Sequence, residues 1–228
     1  MRGAWHQTLI PVLALLMVGV GADAQTICTA APKLSVAVAE GALLTVTLDA
    51  PCQKGARATL SHAGFRFTVR LDDHGHYLAV LPALDAAGQV TAAFAEGGVL
   101  TAAQSVPDLG DQRRLALQRP KTMRISAKGT ARLTFLGDAG LPDPLLVQIV
   151  DLDPPAGADG DATSLLLIAD VTPESCNHDL MVRTLVIRAK AAPQSDAILL
   201  SMPACGADTA GAHLSLDLGA AIQIPAAQ

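Results

Sequence analysis

The clearest indication of the fold class of this chain is the run Phe65-Arg66-Phe67-Thr68-Val69-Arg70-Leu71. Its odd positions are apolar and its even positions are polar, which is the two-residue period of a β-strand with one buried face. The turn sequence Asp72-Asp73-His74-Gly75 follows it, and a second alternating run continues to Leu81 and Pro82. Because Asp and Gly favour tight turns, we expect this strand to form a hairpin with the run from Tyr77 to Leu81.

The same alternation occurs along most of the remaining chain, and segments with a helical period are scarce. Leu34, Val36 and Val38 share one side of a run, and Leu44, Val46 and Leu48 repeat the pattern after a Glu-Gly turn. The pattern is interrupted at Pro107-Asp108-Leu109-Gly110-Asp111 and then resumes. We therefore predict an all-β protein. It consists of two small antiparallel β-sandwich domains in tandem, at residues 25–106 and 107–228, or of one elongated β domain.

Residues 34–103 resemble transthyretin-like and carboxypeptidase regulatory-like β-sandwich modules. The resemblance rests on Phe67-Thr68-Val69, the Asp73 and Gly75 turn, and the Leu81-Pro82 strand end. The whole chain also resembles a group of uncharacterised exported proteins of alphaproteobacteria, through its cysteines and the segment Pro144-Leu145-Leu146. The first resemblance implies a β-sandwich with a non-catalytic accessory role.

The N-terminus has the three-part order of a secretory signal peptide. Arg2 precedes an apolar run from Leu9 to Val20, and Ala22-Asp23-Ala24 supplies small residues at the two positions that a signal peptidase reads. The run is shorter than the roughly 20 residues that span a bilayer. We therefore expect residues 1–24 to be a cleaved signal peptide. The mature protein should be periplasmic or secreted, without stable membrane insertion.

Charge and aromatic content exclude several classes of ligand. The formal net charge is −5, so the chain has no electrostatic reason to bind nucleic acid. The sole tryptophan, Trp5, lies in the expected signal peptide, and Tyr77 with four phenylalanines is all that remains. Too few rings are left for the exposed stacking platforms that bind sugars or single-stranded nucleic acid. We therefore predict that nucleic acid is not a partner.

The four cysteines predict disulfide bonds. Cys28, Cys52, Cys176 and Cys205 form an even set, and export would place them in an oxidising compartment. Four cysteines allow three pairings, so the sequence leaves the connectivity open. Pairing of neighbours would close one loop in each half. A redox-active pair is disfavoured because the chain has no Cys-x-x-Cys motif.

A histidine cluster is the sharpest candidate for chemistry. His74 and His76 are two apart on an expected strand and so point to the same side, while His62 lies at the end of another strand. Imidazole is a common ligand of zinc and copper, and a metal needs at least three ligands. The hypothesis is a zinc or copper site built from His62, His74 and His76. No other cofactor is indicated.

No sequence motif for catalysis is found. Cys176-Asn177-His178 holds a cysteine near a histidine, but a disulfide would consume that thiol. We therefore predict no catalytic residues and no enzyme activity. The leading hypothesis is a non-enzymatic exported module that docks an envelope protein through sheet edges or loops. The alternatives are a periplasmic metal-binding protein using the histidine cluster and a hydrolytic enzyme with a dispersed active site. The oligomeric state is left open.

Overall fold

The computed structural model describes residues 28–129, 131–152, 164–209 and 211–221. These residues form fifteen β-strands and a short helix α1 at Leu218–Ala221, so the predicted all-β fold class is confirmed. The expected signal peptide lies outside the described residues. Within the described part, no helix is long and apolar enough to cross a membrane. The strands are β1 (Lys33–Ala39), β2 (Leu43–Asp49), β3 (Arg57–His62), β4 (Phe65–Arg70), β5 (His76–Pro82), β6 (Gln89–Phe94), β7 (Val99–Ala103), β8 (Arg114–Arg119), β9 (Met123–Lys128), β10 (Arg132–Leu136), β11 (Leu146–Asp151), β12 (Ser164–Asp170), β13 (Asp179–Ile187), β14 (Gln194–Ser201) and β15 (His213–Asp217).

The first seven strands form a sandwich of two antiparallel sheets, with strand orders β1-β2-β5 and β4-β3-β6-β7. Alternation in the sequence explains the packing, because every second residue of β2 is buried. Leu44, Val46 and Leu48 of β2 meet Leu60 and Phe67 of the facing sheet in one apolar core. Burial of these side chains is the main force that holds the two sheets together.

The remaining strands form a second pair of antiparallel sheets. A five-stranded sheet has the order β10-β11-β8-β13-β14, and a three-stranded sheet has the order β15-β12-β9. Leu115 and Leu117 of β8 pack with Leu165 and Leu167 of β12 in a second apolar core. The structure thus has the predicted tandem arrangement of sandwich-like units.

The central strands β8 and β11 of the five-stranded sheet are buried on both faces. Ala116 and Ile149 point away from the second core and belong to the core of the first sandwich, together with Leu185 and Ile187. Accordingly the residues of β11 are almost all buried, and they do not alternate between buried and exposed. The two sandwiches therefore share an apolar junction. The division into domains at residues 25–106 and 107–228 stays a prediction.

The predicted hairpin between Phe65–Leu71 and Tyr77–Leu81 is wrong. Strand β4 pairs with β3, whereas β5 pairs with β2 in the opposite sheet. The Asp72–Gly75 turn is real, but it carries the chain from one sheet to the other. The Asp72 carboxylate accepts hydrogen bonds from the backbone N–H groups of His74 and His76, which stabilise this crossing. Turn chemistry alone does not distinguish a crossing from a hairpin.

Candidate functional site

His62 is a buried structural residue in this fold. Its side chain is 2% exposed. Nδ1 lies 2.9 Å from the carbonyl oxygen of Gln89, and Nε2 accepts a hydrogen bond of 2.8 Å from the backbone N–H of Leu84. Both ring nitrogens are thus engaged by the backbone, and neither has a lone pair left for a metal ion.

His74 and His76 lie at the crossing between the two sheets of the first sandwich. His76 is at the start of β5, with Nδ1 3.5 Å from the Asp49 carboxylate, and both side chains of this pair are about half exposed. The described residues include no group of three or more His, Cys, Asp or Glu side chains placed to hold a metal ion. The structure does not bring His62 together with His74 and His76.

The cysteines pair as sequence neighbours, Cys28 with Cys52 and Cys176 with Cys205. Each bond closes a loop within one half of the chain. Two disulfides indicate an oxidising, exported compartment. Cys176 is therefore not a free nucleophile beside His178.

Two surface cavities of about 250 Å³ each lie in the second half of the described chain. One is beside the Cys176–Cys205 disulfide, and the described residues of its lining include hydroxyl groups but no ionisable side chain. The other is lined by apolar residues and by Arg113 and Arg188. The described residues of the two linings include no nucleophile beside a general base, the arrangement that hydrolytic chemistry requires. These two cavities thus give the enzyme hypothesis no candidate residues among those that the structure describes.

The edge strand β4 of the first sandwich is covered by the second half of the chain. The Thr68 N–H donates to the carbonyl of Leu145 over 3.0 Å, and the Asp138 N–H donates to the Thr68 carbonyl over 2.7 Å. At Arg66, the Gln118 side chain takes the place of a neighbouring strand. Its Oε1 accepts the Arg66 N–H, and its Nε2 donates to the Arg66 carbonyl. This edge cannot accept a further strand.

The edge strand β9 is closed in a similar way by Gln148, which is fully buried. Its Oε1 accepts the backbone N–H of Ile125, and its Nε2 donates to the Ile125 carbonyl, both over 2.8 Å. Gln118 and Gln148 thus cover the edges of β4 and β9 with the same pair of hydrogen bonds. Each carboxamide satisfies one backbone N–H and one C=O, as a paired residue on an added strand would.

The strand β14 is an edge of its sheet, and no other described segment pairs with its outer side. Ser195, Asp196 and Ala197 are exposed, and so are Leu199 and Ser201. The ladder with β13 includes the bond from the Met202 N–H to the His178 carbonyl. Because bonded residues alternate in an antiparallel pair, even-numbered residues of β14 point their backbone groups toward β13. The N–H and C=O groups of Ala197, Leu199 and Ser201 therefore point outward.

An exposed apolar ledge adjoins this open edge. Met181 of β13 and Leu199 of β14 are directly opposite each other, and they are 73% and 63% exposed. They lie on the same face of the sheet as Leu185, which packs into the junction between the sandwiches. Between ledge and junction, the Arg183 guanidinium lies 5.2 Å from the centre of the Phe65 ring and donates to the Gly64 carbonyl. Arg183 thus marks where the first sandwich stops covering this face.

The open edge at β14 was not predicted from the sequence. A strand near 198–202 is expected from its apolar residues, but β14 begins at Gln194 and its exposed side includes Leu199. The signal that was missed is the polar and small residue content of Gln194–Ala197, which is typical of an edge strand.

In comparisons with known proteins, no family model matches the chain and no curated protein matches it significantly.

Proposed function

We propose that this chain is a non-enzymatic exported module, in the periplasm or outside the cell, that docks another envelope protein. The docked element is an extended segment that adds as a strand to the β14 edge. One observation carries the proposal. The edges of β4 and β9 are closed by side-chain amides or loops, whereas the eight-residue strand β14 leaves outward backbone groups exposed beside an apolar ledge.

Backbone pairing would supply much of the affinity. The outward N–H and C=O groups of Ala197, Leu199 and Ser201 lie along one line, and a partner strand in antiparallel or parallel register can bond to them. In the free protein, the Asp196 carboxylate accepts the Ala197 N–H over 2.7 Å. That local bond satisfies the amide until a strand replaces it.

The ledge would supply specificity. Side chains of an added strand alternate between the two faces, so every second one would lie next to Leu199 and Met181. We therefore expect the partner segment to have apolar residues at alternate positions. Asp179 and Asp196 are exposed near the two ends of the ledge, and the chain carries a net charge of −5. Charge complementarity favours Lys or Arg in the partner segment.

The test uses a tagged, signal-intact copy with a photo-reactive amino acid at Ser201 and, as a control, at Lys33 on the edge strand β1. Cross-linking in cells followed by peptide mapping should identify an extended segment of one envelope protein at Ser201 and not at Lys33. A synthetic peptide of that segment should bind the purified protein. A cross-link from Ser201 to a second copy of this chain, or no cross-link under several growth conditions, would overturn the proposal.

Two variants then test strand addition itself. Proline at position 197 removes an outward N–H but no bond to β13, so Ala197→Pro should abolish the cross-link while the protein stays folded. Ala197→Thr keeps the N–H and should retain it. Equal cross-linking by both variants would rule out backbone pairing at β14.

A further inference from the structure

The segment that joins β5 to β6 is held from two directions. His62 of β3 accepts the Leu84 N–H on its Nε2. Arg114 of β8, in the other sandwich, donates to the Ala83 carbonyl over 2.8 Å and to the Ala42 carbonyl over 2.9 Å. Arg114 is also paired with Asp151 at 2.5 Å and is 1% exposed. This short segment thus fixes the first sandwich to the second.

The hydrogen bonds of His62 require one protonation state. A backbone N–H can only donate, so Nε2 must be unprotonated where it meets Leu84. Nδ1 must then carry the proton, which it donates to the Gln89 carbonyl. Only the neutral ring with its proton on Nδ1 satisfies both contacts. An imidazolium would set one N–H against another.

The surroundings of His62 shift its pKa in opposite directions. Burial lowers the pKa of His62, and the Arg114 charge lowers it further. The bond to the Gln89 carbonyl and the Asp85 carboxylate, 3.9 Å from Nδ1, both raise it. The net effect is a pKa below the ordinary value of 6.5. The folded protein therefore resists protonation at a ring that an exposed chain would protonate readily.

We propose that His62 is an acid-sensitive latch on the 83–88 segment, and that its protonation releases Leu84 and loosens the junction between the two sandwiches. A proton from solvent takes the Nε2 lone pair, so the Leu84 bond is lost. The new positive charge is buried near Arg114, and Asp85 offsets it only in part.

The direction of the pH effect follows from linkage. The pKa of His62 is lower in the folded state. The open form, in which the bond between His62 and Leu84 is broken, therefore binds the proton more tightly. The latch is fully closed above pH 6.5, the ordinary value, and its stability is lost as the pH falls below that value. Until the folded pKa is reached, opening increases up to about tenfold per pH unit.

The experiment is amide hydrogen exchange of the mature protein from pH 7.5 to 5.0, read as protection factors for Leu84 and for Val90, a core amide on β6. Protection of Leu84 should fall as the pH drops below 6.5 while that of Val90 holds. Asp85→Asn removes a carboxylate that raises the pKa of His62 in the folded state, so the fall should begin at the same pH but continue to lower pH. His76→Gln changes an exposed histidine and should leave it unchanged.

Three outcomes would overturn the latch. Leu84 and Val90 protection could fall in parallel, or Leu84 protection could stay constant throughout. In the third, the NMR signal of the His62 ring shows an imidazolium while Leu84 stays protected. Because all three are read in the protein without altering His62, they do not depend on whether a His62 variant folds.

Discussion

Strands β4 and β14 are both edge strands of antiparallel sheets. Other segments of the chain cover the outer side of β4, whereas the outer side of β14 is exposed. On β4, the outward groups of Thr68 bond to residues 138 and 145, and those of Arg66 bond to Gln118. On β14, residues 195–197 are exposed, and so is Leu199 of the apolar ledge. An unpaired strand edge attracts other strands unless it is covered or guarded. This chain thus covers one sheet edge with its own residues and leaves another exposed.

The largest expected effect comes from proline at the covered edge. Thr68→Pro removes the N–H that bonds to Leu145, at a residue with no solvent exposure. The same change at Ala197 removes an outward N–H whose acceptor within the described part of the chain is the Asp196 carboxylate. We expect Thr68→Pro to lower the free energy of unfolding by about 3 kcal/mol or more, and Ala197→Pro by less than about 1 kcal/mol. Urea unfolding measures both.

Thr68→Val is the control for the first variant, because it keeps the backbone N–H and the side-chain shape. It loses only the bond from the Leu145 N–H to the Thr68 hydroxyl, so its cost should be about 1 kcal/mol. Equal costs for proline at positions 68 and 197 would mean that the two edges do not differ as described.

Next in size are the two glutamines that close edges. Gln148→Met would leave the N–H and C=O of Ile125 unpaired in the interior and should cost about 2 to 4 kcal/mol. Gln118→Met frees the backbone of Arg66, where water can replace the carboxamide, and should cost about 1 kcal/mol. Thermal or urea unfolding of the two variants measures whether Gln148→Met lowers stability more than Gln118→Met does. A larger cost at position 118 would contradict the assignment of buried and exposed edges.

The smallest effect on stability is expected at Asp196, which is exposed on the open edge. Asp196→Ala removes the acceptor of the Ala197 N–H and a charge, and should change the free energy of unfolding by less than about 0.5 kcal/mol. It should instead increase self-association, because a bare, uncharged edge pairs with other edges. Sedimentation velocity over a range of concentrations measures this. Asp108→Ala removes an exposed carboxylate that is not part of β14, and its self-association should be the same as that of the parent protein.

Local pattern was enough to predict much of the fold. The period-two alternation of β2 and β4 predicted strands, and the dearth of helical periodicity predicted an all-β class. The even cysteine count predicted disulfides, while the choice among three pairings required the structure. The hairpin from Phe65 to Leu81 was wrong because Asp and Gly specify a tight turn but not the sheet in which the next strand pairs.

The candidate sites were harder to predict than the fold. His62 was placed with His74 and His76 by its position near a strand end, but its ring is turned inward to bond with Leu84 and Gln89. Side-chain direction along a strand can be inferred from sequence. Which backbone groups an imidazole meets depends on contacts with residues more than twenty positions away.

Alternation and cysteine count are local properties of a sequence, so they were enough to predict β-strands with defined buried faces and disulfides. Which strand edges stay open depends instead on the tertiary structure. That outcome depends on Gln118 and the 138–145 region reaching β4, on Gln148 reaching β9, and on no such contact for the outward groups of β14 among the described residues. Edge coverage is a long-range contact between segments far apart in the chain, and local periodicity carries no information about it.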